Sequence, residues 1–212
     1  MTEKRDNFKC STKMHELIHG LDNLQDKQIF FLGGFVKSGT TWIERLLDAH
    51  PEIACKGEAH FCSLLEPSLL TAIANYNSVI PKKGNWERLQ NEGVQHVQVA
   101  EYIFNEEDFN SISKISMQLL MSKWADNNKI RAVGEKTPSN AQYFQRLLQL
   151  FPNVKFVYIV RDIRDVIVSG WFFNLTIDSE YTLKTFQTIH NYAISMAQNW
   201  VQAVSSSLNF SE

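Results

Sequence analysis

The stretch "FFLGGFVKSGTTWIERLLDAHP", Phe30 to Pro51, decides how the rest of the chain is read. It begins as an apolar run ending in glycines, the pattern of a buried strand that turns at its C-terminal end. It ends with Trp42, Ile43, Leu46 and Leu47 at helical spacing, and Pro51 is a natural stop. Strand, glycine-rich loop and helix in that order make an anion site, because loop amides and a helix N-terminus together face a negative group. In the ordinary phosphate loop, G-x-x-x-x-G-K-[ST], the lysine reaches the outer phosphates of a nucleotide. Here Gly34 and Gly39 fill the glycine positions, Thr40 takes the lysine position, Thr41 the hydroxyl position, and the lysine has moved to position 37. Ser38, Thr40 and Thr41 can still grip a phosphate, but no lysine is aimed at a γ-phosphate.

Outward from this unit the periodicity alternates. "KIRAVGEKTP" predicts a strand and a loop, "SNAQYFQRLLQLFP" a helix capped by Ser139, "VKFVYIV" a buried strand and "DIRDVIVSGWFF" a further helix. "CKGEAHFCSLL" reads as loop turning into helix, "NSVIPKKGNWERLQNEG" is rich in breakers, and "DFNSISKISMQLLMSKWADNN" fits an amphipathic helix. Strands alternating with helices imply an α/β fold with a mostly parallel sheet flanked by helices, a three-layer architecture of the phosphate-loop type. The expected organisation is a leading helix or arm over residues 1–25 and one domain over 26–212. In such sheets ligands bind at the carboxyl ends of the strands.

Composition narrows the function. The chain has 212 residues, 44% of them hydrophobic, and a formal net charge of -2, so it can bury a substantial core and offers no global attraction for nucleic acid or an anionic membrane. Any anion site is therefore local. Three cysteines, Cys10, Cys55 and Cys62, show no metal-type spacing, and no metal ligand set is read from the sequence. The opening "MTEKRDNFKC" has no apolar run, and no stretch is long enough to span a bilayer, so the expectation is a cytoplasmic protein with no membrane partner.

"KSGTTW", Lys37 to Trp42, together with "YIVRDIRDVIVSGWFF", Tyr158 to Phe173, resembles the paired signature of sulfotransferases that use 3'-phosphoadenosine 5'-phosphosulfate (PAPS). The resemblance covers roughly Gln28 to Phe173. It implies that Lys37, Ser38, Gly39, Thr40 and Thr41 bind the 5'-phosphosulfate end of the donor, that Trp42 stacks on the adenine, and that Arg161 and Ser169 bind the 3'-phosphate. The residues read alone agree with the last point, since a guanidinium at a strand end forks onto a phosphate. Plainer readings stand beside these: Trp42 as core, and Arg161 with Asp162 as a surface ion pair.

Sulfuryl transfer needs a base for the acceptor proton and cations where charge builds on the leaving oxygen. The histidine of the family's cytosolic branch, in a Lys-Thr-His strand end, is replaced here by Pro138 in "GEKTPSN". "LDAHPEIACKGEAHF" is similar instead to the glutamate-base branch, which includes protein-tyrosine and several bacterial sulfotransferases. That similarity implies Glu58 as the base and Lys136 as a second catalytic lysine beside Lys37. Glu58 also reads as a helix-capping carboxylate; His60 is the substitute base, and Glu135 is a reserve base or a partner for Lys136.

The implied activity is sulfuryl transfer from PAPS to a hydroxyl or amine of a small-molecule, glycan or peptide acceptor, with adenosine 3',5'-bisphosphate (PAP) as product and no metal. Two alternatives are a phosphate-loop kinase or nucleotide hydrolase, and a nucleotide-binding module without catalysis. The second arises because family members continue past a long helix into another strand and a basic loop, whereas this sequence supplies the helix alone. Phe61, Trp86, Tyr102, Phe104 and Trp124 read either as an acceptor-side wall or as ordinary core.

Overall fold

The computed structural model describes residues 3–79, 91–93, 103–125 and 128–210. The chain divides into two compact units, Met1–His60 with Gln118–Glu212, and Phe61–Met117.

The first unit is built on a parallel sheet of β1 (Gln28–Gly34), β2 (Ile53–Gly57), β3 (Ala132–Lys136) and β4 (Lys155–Ile159), in the order β2-β3-β1-β4. β1 is central because both of its faces are apolar, and Phe31 and Leu32 have no exposed surface. It pairs with β3 from Gln28↔Ala132 to Leu32↔Lys136, and with β4 from Phe30↔Lys155 to Gly34↔Ile159. Its helices are α1 (Glu3–Gln25), α2 (Thr40–Asp48), α5 (Phe144–Leu150), α6 (Ile163–Ile177), α7 (Ser179–Phe186) and α8 (Ile189–Phe210). The predicted α/β architecture with a parallel sheet is what is observed. The second unit contains a π-helical turn at Phe61–Leu65, α3 (Glu66–Val79) and the start of α4 (Glu106–Trp124). Among the described residues no helix is long and apolar enough to cross a membrane.

Several local expectations are corrected. The "CKG" read as loop is instead the end of β2, paired with β3 through Gly57↔Lys136. Ser139 does not cap a helix: Pro138–Gln142 forms a 3-10 turn, and α5 begins only at Phe144. The cause is Asn140, whose side-chain amide donates to the Leu32 carbonyl (3.3 Å) and to Glu135 Oε2 (2.7 Å), tying the segment to the strand ends. Gly33 permits this approach, since a Cβ there would lie 2.6 Å from the Ala141 nitrogen. β4 is half-buried rather than buried, because it lies at the sheet edge. The long C-terminal helix is broken at Gln187, at φ 61°, into α7 and α8.

Candidate active site

All four strands deliver a candidate site residue at their carboxyl ends: the Phe35–Gly39 loop after β1, Glu58 after β2, Lys136 as the last residue of β3, and Arg161 after β4. A cleft of about 490 Å³ collects Lys37, Gly39, Thr40, Thr41, Glu58, Arg161 and Ser169. Residues more than 130 positions apart in sequence thus share one wall, and the volume falls within the roughly 300–1,000 Å³ usual for cofactor sites.

The loop owes its shape to two left-handed residues, Lys37 (φ 64°) and Gly39 (φ 96°). Gly39 precedes α2, and its carbonyl accepts from the amides of Trp42 (3.0 Å) and Ile43 (3.1 Å), so the helix starts at once. Ser38 is buried and its hydroxyl has no partner among the described residues. A buried, unpartnered hydroxyl beside a helix N-terminus, flanked by Lys37 and Arg161, suits an oxyanion group. The Lys37 ammonium lies 3.6 Å from the centre of the Phe173 ring, and the Arg161 guanidinium donates to the Lys37 carbonyl at 3.2 Å.

Arg161 does not pair with Asp162. It faces Asp165 at 3.7 Å, one turn along α6, while Asp162 caps α6 by accepting from the Arg164 amide. Arg164 also holds the exposed Asp162 carboxyl with two side-chain bonds and lowers its pKa to about 2.

Behind Glu58 and Thr41, Lys136 is almost wholly buried, yet its ammonium reaches Glu58 Oε1 at 2.7 Å, Thr41 Oγ1 at 3.3 Å and Glu44 Oε2 at 3.6 Å. Gly57 makes room: a Cβ at that position would stand 2.7 Å from Lys136 Cε. Glu58 is half-exposed; Lys136, not a helix N-terminus, holds its Oε1, and the second oxygen lies 3.5 Å from His60 Nε2. Glu135 is fully buried and points away from this cluster. Its Oε1 accepts from the Ala59 amide (2.8 Å) and the Thr137 hydroxyl (2.5 Å), and its Oε2 from Asn140. Burial raises its pKa, against the lowering effect of the hydrogen bonds from Asn140, Thr137 and Ala59.

Trp42 is neither core nor part of the cleft wall: it is 67% exposed, and Leu46, one turn on, is also exposed. The wall includes three residues the sequence did not single out, Val36, Pro138 and Phe173. The signal for Phe173 was present, since it stands four positions after Ser169 on one helix face. Of the aromatic candidates, Trp86 and Tyr102 lie outside the described residues. Phe61 is core, Phe104 packs edge-on against Tyr76 at 5.5 Å, and Trp124 borders a groove by β2 and the turn preceding it.

The Caenorhabditis elegans protein-tyrosine sulfotransferase A is 32% identical over 140 residues, 66% of this chain and 32% of that protein. A putative protein-tyrosine sulfotransferase of Caenorhabditis briggsae is 29% identical over 143 residues, 68% of this chain and 42% of its own length. The chain thus spans about a third to two fifths of these relatives. The crystal structure of sulfotransferase STF9 from Mycobacterium avium aligns with a TM-score of 0.46 at 16% identity, over 94% of this chain and 59% of that one. Residues 29–211 match the Sulfotransferase family, and the chain belongs to that family.

Proposed function

We propose that this chain transfers a sulfuryl group from PAPS to an acceptor hydroxyl, with a tyrosine-bearing peptide as the acceptor class. The observation that carries the reading is the convergence of Lys37, Thr41, Arg161, Ser169 and Glu58 on one cleft at the strand ends. The names of the relatives support the peptide acceptor.

The donor supplies an activated sulfuryl group attached to a phosphate leaving group. Arg161 and Ser169 would hold the 3'-phosphate, and the loop from Lys37 to Thr41 the 5'-end, with the Ser38 hydroxyl available as a further donor. Trp42, exposed beside the loop, is free of core packing and able to cover an adenine ring. Glu58 takes the proton of the acceptor hydroxyl. Its Oε2 is the oxygen for that task, because Oε1 is held by Lys136. Lys136 also touches Thr41, so one ammonium links the base to the donor loop, and with Lys37 it balances negative charge developing on the leaving oxygen. The free, buried thiol of Cys55 supports a cytoplasmic setting. Cys55, its pKa pushed up to about 12 by burial and then by Glu44 and Asp48, stays protonated there.

Calorimetry with PAP, against ATP plus magnesium, tests the reading. Preferential binding of PAP, weakened by Lys37→Ala and by Arg161→Ala, is expected. Preference for ATP and magnesium would support the kinase alternative and overturn the proposal. PAP binding without turnover of PAPS on a tyrosine peptide would leave only a binding module.

A further inference from the structure

The Glu135 carboxylate has no exposed surface and does not line the cleft. Burying an ionisable group is costly unless it is satisfied, so its contacts indicate what it is for. Three donors converge on it: the Ala59 amide, the Thr137 hydroxyl and the Asn140 side chain. The Thr137 oxygen in turn accepts from the His60 amide at 3.2 Å. Both amides belong to the short segment that leaves β2 and crosses the end of β3, and that segment carries Glu58. The same segment includes His60 at φ 51°, a left-handed conformation that a non-glycine residue keeps only when its surroundings enforce it.

Strand alternation explains how one strand end does two jobs. Glu135 and Thr137 project to one face of β3 and Lys136 to the other. Lys136 grips the Glu58 carboxylate, while Glu135 and Thr137 grip the backbone just after it. Glu58 is thereby fixed through its side chain and through its main chain by three consecutive residues.

We propose that Glu135 is a positioning residue for Glu58: through the Ala59 amide and the Thr137-to-His60 link it sets the backbone of the Glu58–His60 segment, and so the reach of the base. This inference rests on the sulfotransferase reading for its catalytic meaning. Its structural content can be tested separately.

The experiment uses the full chain and the variants Glu135→Gln, Glu135→Ala and Thr137→Val, with three readouts: amide hydrogen exchange by NMR, PAP affinity by calorimetry, and kcat and KM for PAPS turnover on a tyrosine peptide. Glu135→Ala should speed exchange at Ala59 and His60 by about 10- to 100-fold, the loss expected when the acceptor of a buried donor is removed. PAP affinity and exchange at Thr40 to Ile43 should stay within about twofold, because the hydrogen bonds of Glu135 go to Ala59, Thr137 and Asn140 and none to α2 among the described residues. Turnover should fall in kcat by about 100-fold, as a displaced catalytic group does. Glu135→Gln keeps acceptors for Ala59 and Thr137 and should recover most of both losses, and Thr137→Val should release His60 more than Ala59. Unchanged exchange at Ala59 and His60, or a loss spread evenly over β1 and β3, would overturn the proposal, as would a Gln variant as impaired as Ala. If even the unaltered chain neither binds PAP nor turns over PAPS, the sulfotransferase reading fails, while exchange at Ala59 and His60 still decides whether Glu135 holds the segment.

Discussion

Lys136 Nζ lies 2.7 Å from Glu58 Oε1 and 3.3 Å from Thr41 Oγ1, so a single buried ammonium joins the candidate base to the donor loop. Lys136 itself is only 3% exposed and meets the cleft through these two partners, both of which line it.

Lys136→Met should separate stability from activity. Glu58 is 44% exposed and can hydrate once the ammonium is gone, so the stability loss should be about 1 kcal/mol, near the value for exposed pairs rather than buried ones. Thermal melting measures this. Turnover of PAPS should fall by about 100-fold or more, since electrostatic stabilisation of developing charge is lost.

Gly57→Ala should reproduce part of that effect without removing a charge. The added Cβ would lie 2.7 Å from Lys136 Cε and 3.0 Å from Nζ, and the lysine tip must move. The atom that yields is the end of a flexible side chain, so melting should shift little. PAP affinity should stay within about twofold while kcat drops about tenfold or more, the pattern of a misplaced catalytic group.

Phe173→Leu should weaken PAP binding by about two- to fivefold, matching the roughly 0.5–1 kcal/mol of an exposed cation–π contact. Phe173 is about half exposed, which places the contact at the weak end of that range. Phe173→Tyr, which keeps the ring, should restore affinity. Equal weakening in both variants would mean that the ring does not position Lys37.

The pH dependence of stability should carry the mark of Glu135. Its folded-state pKa is raised above 4.5, mainly by burial, so the folded state holds its proton to higher pH than the unfolded state does. Its contribution is therefore greatest below pH 4.5 and declines as pH rises through the folded-state pKa. In Glu135→Gln that dependence is absent. The melting-temperature difference, wild type minus variant, should fall as pH increases from 4.5 toward neutrality; a flat difference would contradict the assignment.

The sequence made some of this plain for physical reasons. A strand buried on both faces must read as a continuous apolar run, and β1 does; a loop that binds anions needs glycine and hydroxyls beside a helix start, and Gly34 to Thr41 supply them. β2 was hidden because "IACKG" is short, lies at the edge and has exposed Lys56 and Gly57 at its end. The split between α7 and α8 falls at Gln187, which carries no breaker chemistry, and at Thr188, whose hydroxyl accepts from the Asn191 amide in the first turn of α8. Glu135 was legible as an acid near Lys136, but not as a support for a segment 76 positions earlier, since that contact exists only after β2 and β3 pair. Trp42 stands at core spacing with Ile43, Leu46 and Leu47 but is left in solvent, so its plainer reading as core does not hold.

The central position of β1 has a kinetic consequence. Its partners begin 104 and 125 residues downstream, at Ala132 and Lys155, so the sheet closes only through long loops whose entropy must be met before pairing rewards it. The cleft therefore forms last, and slowly. Recovery of PAP binding after dilution from denaturant should trail the return of helical circular dichroism, making bisphosphate binding a timer for completion of the sheet.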